Sequence, residues 1–253
     1  MNEGAQLITV SFNIPNDILE SIASIVCKPS KRMYLRKYGN VLFLKLLIIF
    51  HFLQSRSIRE LYRKIKAKQV IFDEKLPSIQ TISYRMKKID KEKLSGLIKK
   101  LIGSIVAVES TRLKKNEKLH LVIDIRREEL IAFAISDQRD VRVAEKLIEG
   151  IRGKVIADRG YAEAEFVRET EGYIRPRGKA GKEFTKRLLI GSIYMHRWKI
   201  EKFIQRLKMK INFERKKWKD VKVSIEWMLI GRMLVYLVNR IKQEPRTLEI
   251  LLN

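Results

Sequence analysis

Four residues between positions 194 and 208 fall on one stripe of a helix: Tyr194, Arg197, Glu201 and Lys208. At about 100° per residue they lie within roughly 60° of one another. A carboxylate is thereby lined up with a phenol, a guanidinium and an ammonium. Ile193, Ile200, Ile204, Leu207 and Ile211 gather on the neighbouring face, the side such a helix buries. The plainer alternative is a solvated face with i,i+4 pairing. Upstream, residues 154–161 read Lys-Val-Ile-Ala-Asp-Arg-Gly-Tyr. A short apolar run ending in Asp158 reads as a buried strand that delivers a carboxylate at its C-terminal end, where open α/β sheets place their sites. An Asp capping the next helix is the simpler alternative. Two carboxylates amid excess positive charge point to a divalent-cation site that acts on phosphates.

Together these residues resemble the DDE-type transposases of bacterial and archaeal insertion sequences, in the branch with a Y-x2-R-x3-E-x6-K signature. Tyr194, Arg197, Glu201 and Lys208 match that signature at every spacing, and Asp158-Arg159-Gly160-Tyr161 is similar to the second acidic motif. The resemblance covers about residues 105–240 and implies an α/β, ribonuclease-H-like catalytic core. It implies three carboxylates around two divalent ions, Mg²⁺ or Mn²⁺. It also implies attack by water that frees a 3′-hydroxyl, which then attacks target DNA. Arg197 and Lys208 would hold transposon-end phosphates, with Tyr194 near the cleaved end. The partners implied are the terminal inverted repeats and target DNA, with a homodimer in the synaptic complex.

The family's first acidic position is an Asp on the first strand, where this chain has Val106-Ala107-Val108-Glu109-Ser110-Thr111. Glu109 is therefore expected as the first catalytic and metal-binding residue beside Asp158 and Glu201. Its extra methylene is a strain on a cation that demands near-ideal octahedral geometry. Asp124, at the end of the second strand, is the substitute. The stretch between Asp158 and Glu201 is too short for the strand-rich insertion of many relatives.

Composition narrows the partners. The 253 residues are 45% hydrophobic, enough for a proper core. The net charge is +25 and the isoelectric point about 10.1. Such an excess suits DNA or RNA better than a small-molecule substrate. It is spread over both the first 104 residues and the remainder, so nucleic acid is expected to run across both. Cys27 is the sole cysteine, which rules out an internal disulfide and a cysteine-based zinc site. His51, His120 and His196 are scattered. No secretory signal is legible, and a cytoplasmic location is expected. The apolar run 41–52 is broken by Lys45 and His51 and is too short to span a bilayer.

The elements that must position the site follow from periodicity and caps. A strand is expected within 7–14 and helices over 16–25 and 41–54. A capping box of Ser57 with Glu60 opens a helix to about 66. Pro77-Ser78 starts one to about 88, and Asp90 caps another to about 102. The expected division is a helical DNA-binding domain over 1–104, of helix-turn-helix-like form, and a catalytic domain over 105–253. Gln80, Thr81, Tyr84 and Arg85 would reach base edges from the helix over 78–88. Strands are expected at 105–108, 119–125, 130–135, around 154–157 and at 173–177. Helices are expected at 140–151, 162–170, 182–217 and 228–241. The function expected is metal-dependent cleavage and strand transfer of an insertion sequence. The alternative is a catalytically impaired or domesticated remnant that binds DNA.

Overall fold

The computed structural model describes residues 15–28, 38–67, 74–102, 105–114, 116–151, 153–162, 166, 173–174, 194–210 and 218–252. The chain forms two compact units, one of residues 1–94 with 219–253 and one of residues 95–218.

The helical unit begins with α1 (Asn16–Val26), α2 (Asn40–Phe52), α3 (Ile58–Lys66) and α4 (Ile79–Met86). Its centre is α2, apolar on every side and buried from Leu42 to Phe50 apart from Lys45. The local start signals work as expected. Ser57 Oγ accepts from the Glu60 amide at 3.2 Å, while Glu60 reaches back to the Arg56 amide at 3.0 Å. Ser78 Oγ accepts from the Thr81 amide at 3.2 Å. Asp90 caps α5 (Lys91–Lys100) through the amides of Glu92 and Lys93. Cys27 sits in an isolated antiparallel bridge to Ile89, and burial pushes its thiol up to about 11, outside the range of a reactive thiolate.

The sheet unit has β1 (Ile105–Lys114), β2 (Glu117–Asp124), β3 (Glu129–Ser136), α6 (Asp140–Ile148), β4 (Lys154–Ala157), β5 (Tyr173–Ile174) and α7 (Trp198–Lys210). The sheet order is β3-β2-β1-β4-β5. The first three strands are antiparallel neighbours, while β1–β4 and β4–β5 are parallel. This mixed α/β arrangement is consistent with the expected core. The Val108↔Ala157 register brings the residues that follow to the same level of the sheet, Glu109 midway along β1 and Asp158 just past the end of β4. β1 runs six residues past its expected end, because Glu109 to Lys114 keep pairing with β2.

The C-terminal helices are α8 (Trp218–Gln243) and α9 (Arg246–Leu252). They group with the helical unit, unlike the expected division at 104. The reason is packing: Gly231 lies so close to α2 that a Cβ there would stand 2.3 Å from the Leu47 carbonyl oxygen and 2.8 Å from His51 Cβ. Trp227 meets Phe50 edge-on at 5.9 Å. α8 starts ten residues before the expected 228, and α9 was not foreseen at all. The expected strand at 7–14 lies outside the described residues, as do most of the expected helix at 162–170 and both ends of the one at 182–217. Among the described residues no helix is long and apolar enough to cross a membrane.

Candidate active site

Three elements of the sheet unit deliver one carboxylate each. Glu109 extends from β1, Asp158 follows β4 directly, and Glu201 stands in the first turn of α7. α7 buries Ile200, Phe203, Ile204 and Leu207 and leaves Glu201, Gln205 and Lys208 exposed, so the helix is amphipathic as expected. Its start is tied to the hairpin end of the sheet. Lys199 Nζ donates to the Ile125 carbonyl at 3.1 Å and lies 3.5 Å from Glu128.

The three carboxylates meet at Arg197. Its Nη1 is 3.2 Å from Glu109 Oε2 and 3.3 Å from Asp158 Oδ1, and Nη2 donates to Glu201 Oε1. The other oxygen of Glu109 accepts from the Ser110 amide at 3.3 Å. Burial pushes the Glu109 carboxyl up to about 7. Arg197 opposes this rise, while the charges of Asp158 and Glu201 add to it. Arg197 closes a 3₁₀ turn that begins at Tyr194, one turn before the α-helix proper. The expected single helix through these residues is thus 3₁₀ first and α afterwards. The side chain of Tyr194 lies outside the described residues. Lys208 stands exposed, about 10 Å along the helix from Glu201.

Asp124 does other work. Its Oδ1 accepts from the amides of Arg126 and Arg127 at 2.8 and 3.0 Å, and Oδ2 from Arg127 Nη1 at 3.3 Å. This is an Asp holding its own turn, buried and paired in register with Val106 rather than Glu109. Across the sheet from Glu109 lies a polar cluster that sequence reasoning missed. Asp140 takes Lys118 Nζ at 2.8 Å and stands 3.7 Å from Nδ1 of the fully buried His120, whose pKa burial lowers. Tyr161, buried beside Phe166, returns its amide to the Asp158 carbonyl at 3.0 Å and so fixes the turn that carries Asp158. The contacts of Asp140 with Lys118 and His120 join residues 20 or more positions apart, so no local pattern announces them. A second missed feature is Trp198, 48% exposed beside Arg197, with Lys202 Nζ 5.2 Å from its ring centre.

The four residues expected on DNA from α4 are not equivalent. Gln80 is exposed, Thr81 shares its hydroxyl with Ser78 at 3.0 Å, and Tyr84 is half-buried with Lys88 over its ring. Arg85 departs from the expectation. It is buried, its guanidinium 4.8 Å from the Phe43 ring centre and donating to Asn40 Oδ1. It therefore serves the core of the helical unit and is not displayed to a groove.

Oxygen donors from three elements that already surround one positive centre suit a hard divalent cation. As they stand, the described residues hold no group of three His, Cys, Asp or Glu side chains spaced to grip an ion together. The shared guanidinium lies between the three carboxylates. The family model described as Transposase DDE domain matches residues 103–238, just over half of the chain. No curated protein and no solved structure matches it. A sheet that brings Glu109 and Asp158 to one level, a helix that adds Glu201 and this match lead to one conclusion: the chain belongs to the DDE-domain transposase family.

Proposed function

We propose that the chain cleaves the ends of an insertion sequence and joins them to target DNA, with Glu109, Asp158 and Glu201 as its catalytic carboxylates. The observation that carries this reading is their convergence on Arg197 from β1, β4 and α7. In a DDE-domain chain these are the oxygens that would hold Mg²⁺ or Mn²⁺, two ions in the family's usual arrangement. Bound there, such ions stabilise charge on the attacking and leaving oxygens of an in-line phosphoryl transfer. The chain's own residues supply the rest. Arg197 offers a fork and Lys208 a point charge to backbone phosphates. Trp198 with Lys202 presents an exposed aromatic face and a cation, a pairing that suits bases and backbone together. In the cleavage step a water oxygen bonds to phosphorus, the bond to the 3′-oxygen breaks, and that oxygen leaves as a hydroxyl. In the joining step the 3′-hydroxyl oxygen bonds to a target phosphorus, the target's own bond from phosphorus to its 3′-oxygen breaks, and that oxygen takes up the proton and leaves as a hydroxyl.

The helical unit takes the role of DNA reader through Gln80, Thr81 and Tyr84. The net charge of +25 supplies the long-range attraction. A synaptic homodimer and a cytoplasmic site of action complete the proposal.

Glu109 favours a second reading, a DNA-binding remnant with impaired catalysis, because its side chain is one methylene longer than the family's Asp. Duplexes carrying the sequences that flank the coding region separate the two. Wild type with Mn²⁺ is expected to nick them at the element boundary. Asp158→Ala and Glu201→Ala should each fall to background while binding the duplex as before. Nicking by either variant at the wild-type rate would show the site to be misassigned.

A further inference from the structure

We propose that Arg197 is the resident counter-ion of the carboxylate cluster, and that it exchanges places with a divalent cation so that loading the cation frees its guanidinium for a DNA phosphate. The inference rests on the reading of Glu109, Asp158 and Glu201 as cation ligands.

An Arg fork ordinarily grips one carboxylate through two parallel bonds. Here the fork is divided. Nη1 is shared between Glu109 and Asp158, at 3.2 and 3.3 Å, and Nη2 serves Glu201. Three acidic groups from three elements thus share the Arg197 guanidinium. Arg197 is 22% exposed and Glu109 only 14%, so part of the cluster is withdrawn from solvent and its mutual repulsion is poorly screened. The guanidinium is what makes this gathering tolerable without a cation.

A divalent cation and the guanidinium exclude each other. Mg²⁺ takes its oxygens at about 2.0–2.1 Å. Any ion shared by two of these carboxylates must draw their oxygens into the space where Nη1 and Nη2 now lie. The exchange is favoured electrostatically, because a divalent ion brings twice the charge of the guanidinium to the same three carboxylates. The displaced side chain has a short way to go. Arg197 sits at the junction of the 3₁₀ turn and α7, between the exposed residues His196 and Trp198. Lys208 is exposed on the same stripe of α7 as Arg197 and Glu201, so a phosphate met there has a second cation to hold it. Cation and DNA should therefore bind with positive coupling, each raising the affinity for the other by the same factor.

The test is calorimetric titration of Mn²⁺ into the full-length chain without DNA. Arg197→Ala is expected to bind Mn²⁺ at least about fivefold more tightly than wild type, the low end of ordinary coupling. Arg197→Gln, which keeps length and donors but not charge, should move in the same direction. Lys146→Ala, which removes a charge from the exposed side of α6 and contacts none of the three carboxylates, should stay within about twofold of wild type. In chelator, Arg197→Ala should melt below wild type, and saturating Mn²⁺ should close the gap. An affinity for Arg197→Ala equal to or weaker than that of wild type would overturn the proposal, since the guanidinium would then be organising the ligands rather than competing with the ion. Equal tightening in Lys146→Ala would also overturn it. If wild type bound Mn²⁺ no better than Asp158→Ala, the reading of the site would fail, and the exchange with it.

Discussion

Two arginines, one in each unit, show how differently the same side chain is used. Arg85 in the helical unit is 7% exposed, lies against the Phe43 ring and donates to the neutral oxygen of Asn40. Burial pulls its pKa down, and the groups around it cannot leave. Arg197 in the sheet unit is held by three carboxylates, the groups proposed above to take a divalent cation. The first is set in apolar packing, the second among carboxylates. A charge set in packing is part of the fold, whereas a charge shared by carboxylates is the kind that a second cation can compete for. Both arginines read from sequence as DNA contacts, and the burial of Arg85 removes it from that reading.

Exchanging each for alanine should break the comparison cleanly. Arg85→Ala is expected to cost about 2–3 kcal/mol in urea unfolding, from the lost ring contact and the stranded Asn40. Catalysis per folded molecule should be unaffected. Arg197→Ala should do the reverse in the presence of Mn²⁺: near-normal stability and a severe loss of cleavage. Equal destabilisation by both would mean that Arg197 is structural as well.

A pH series sharpens the contrast. Glu109 holds its proton to about 7, whereas an unfolded Glu loses it near 4.5. Between those values the native state binds more protons, so stability without divalent cations should fall as pH rises from about 4.5 to 7, by at most roughly 3 kcal/mol. Glu109→Gln should flatten that decline. Thermal melts in chelator measure it, and a profile unchanged by Glu109→Gln would place the pH dependence elsewhere. The smallest effect is expected at Lys208. Lys208→Ala should lower the salt slope of end-DNA binding by about 1. An unchanged slope would return that residue to the solvated face.

The legible parts of the fold were those set by local rules. Ser57, Ser78 and Asp90 announce helix starts because their partners lie two to three residues away. The central strands announce themselves by apolar runs between turn residues. The site was legible because spacing on a helix and the end of a strand are also local facts. Arg85 was misread because its burial depends on Asn40, 45 positions away. The placement of α8 depends on Gly231 meeting α2, a contact that no window of sequence contains. The sequence ranks Glu109 ahead of Asp124 by its place on the first strand, but it does not say what Asp124 does instead. The hydrogen bonds of the Arg126–Arg127 turn separate them, since one carboxylate is engaged there and the other faces Asp158 and Glu201.

That ranking also gives the most direct test of the catalytic assignment. Mn²⁺-dependent cleavage of end DNA should be compared in wild type, Glu109→Asp and Asp124→Asn. With Glu109 in the first ligand position, the shorter Glu109→Asp side chain should preserve or raise cleavage and narrow the advantage of Mn²⁺ over Mg²⁺. Asp124→Asn should retain the wild-type rate in the folded fraction. A silent Glu109→Asp together with a dead but folded and DNA-binding Asp124→Asn would move the first carboxylate to β2 and contradict the site described here.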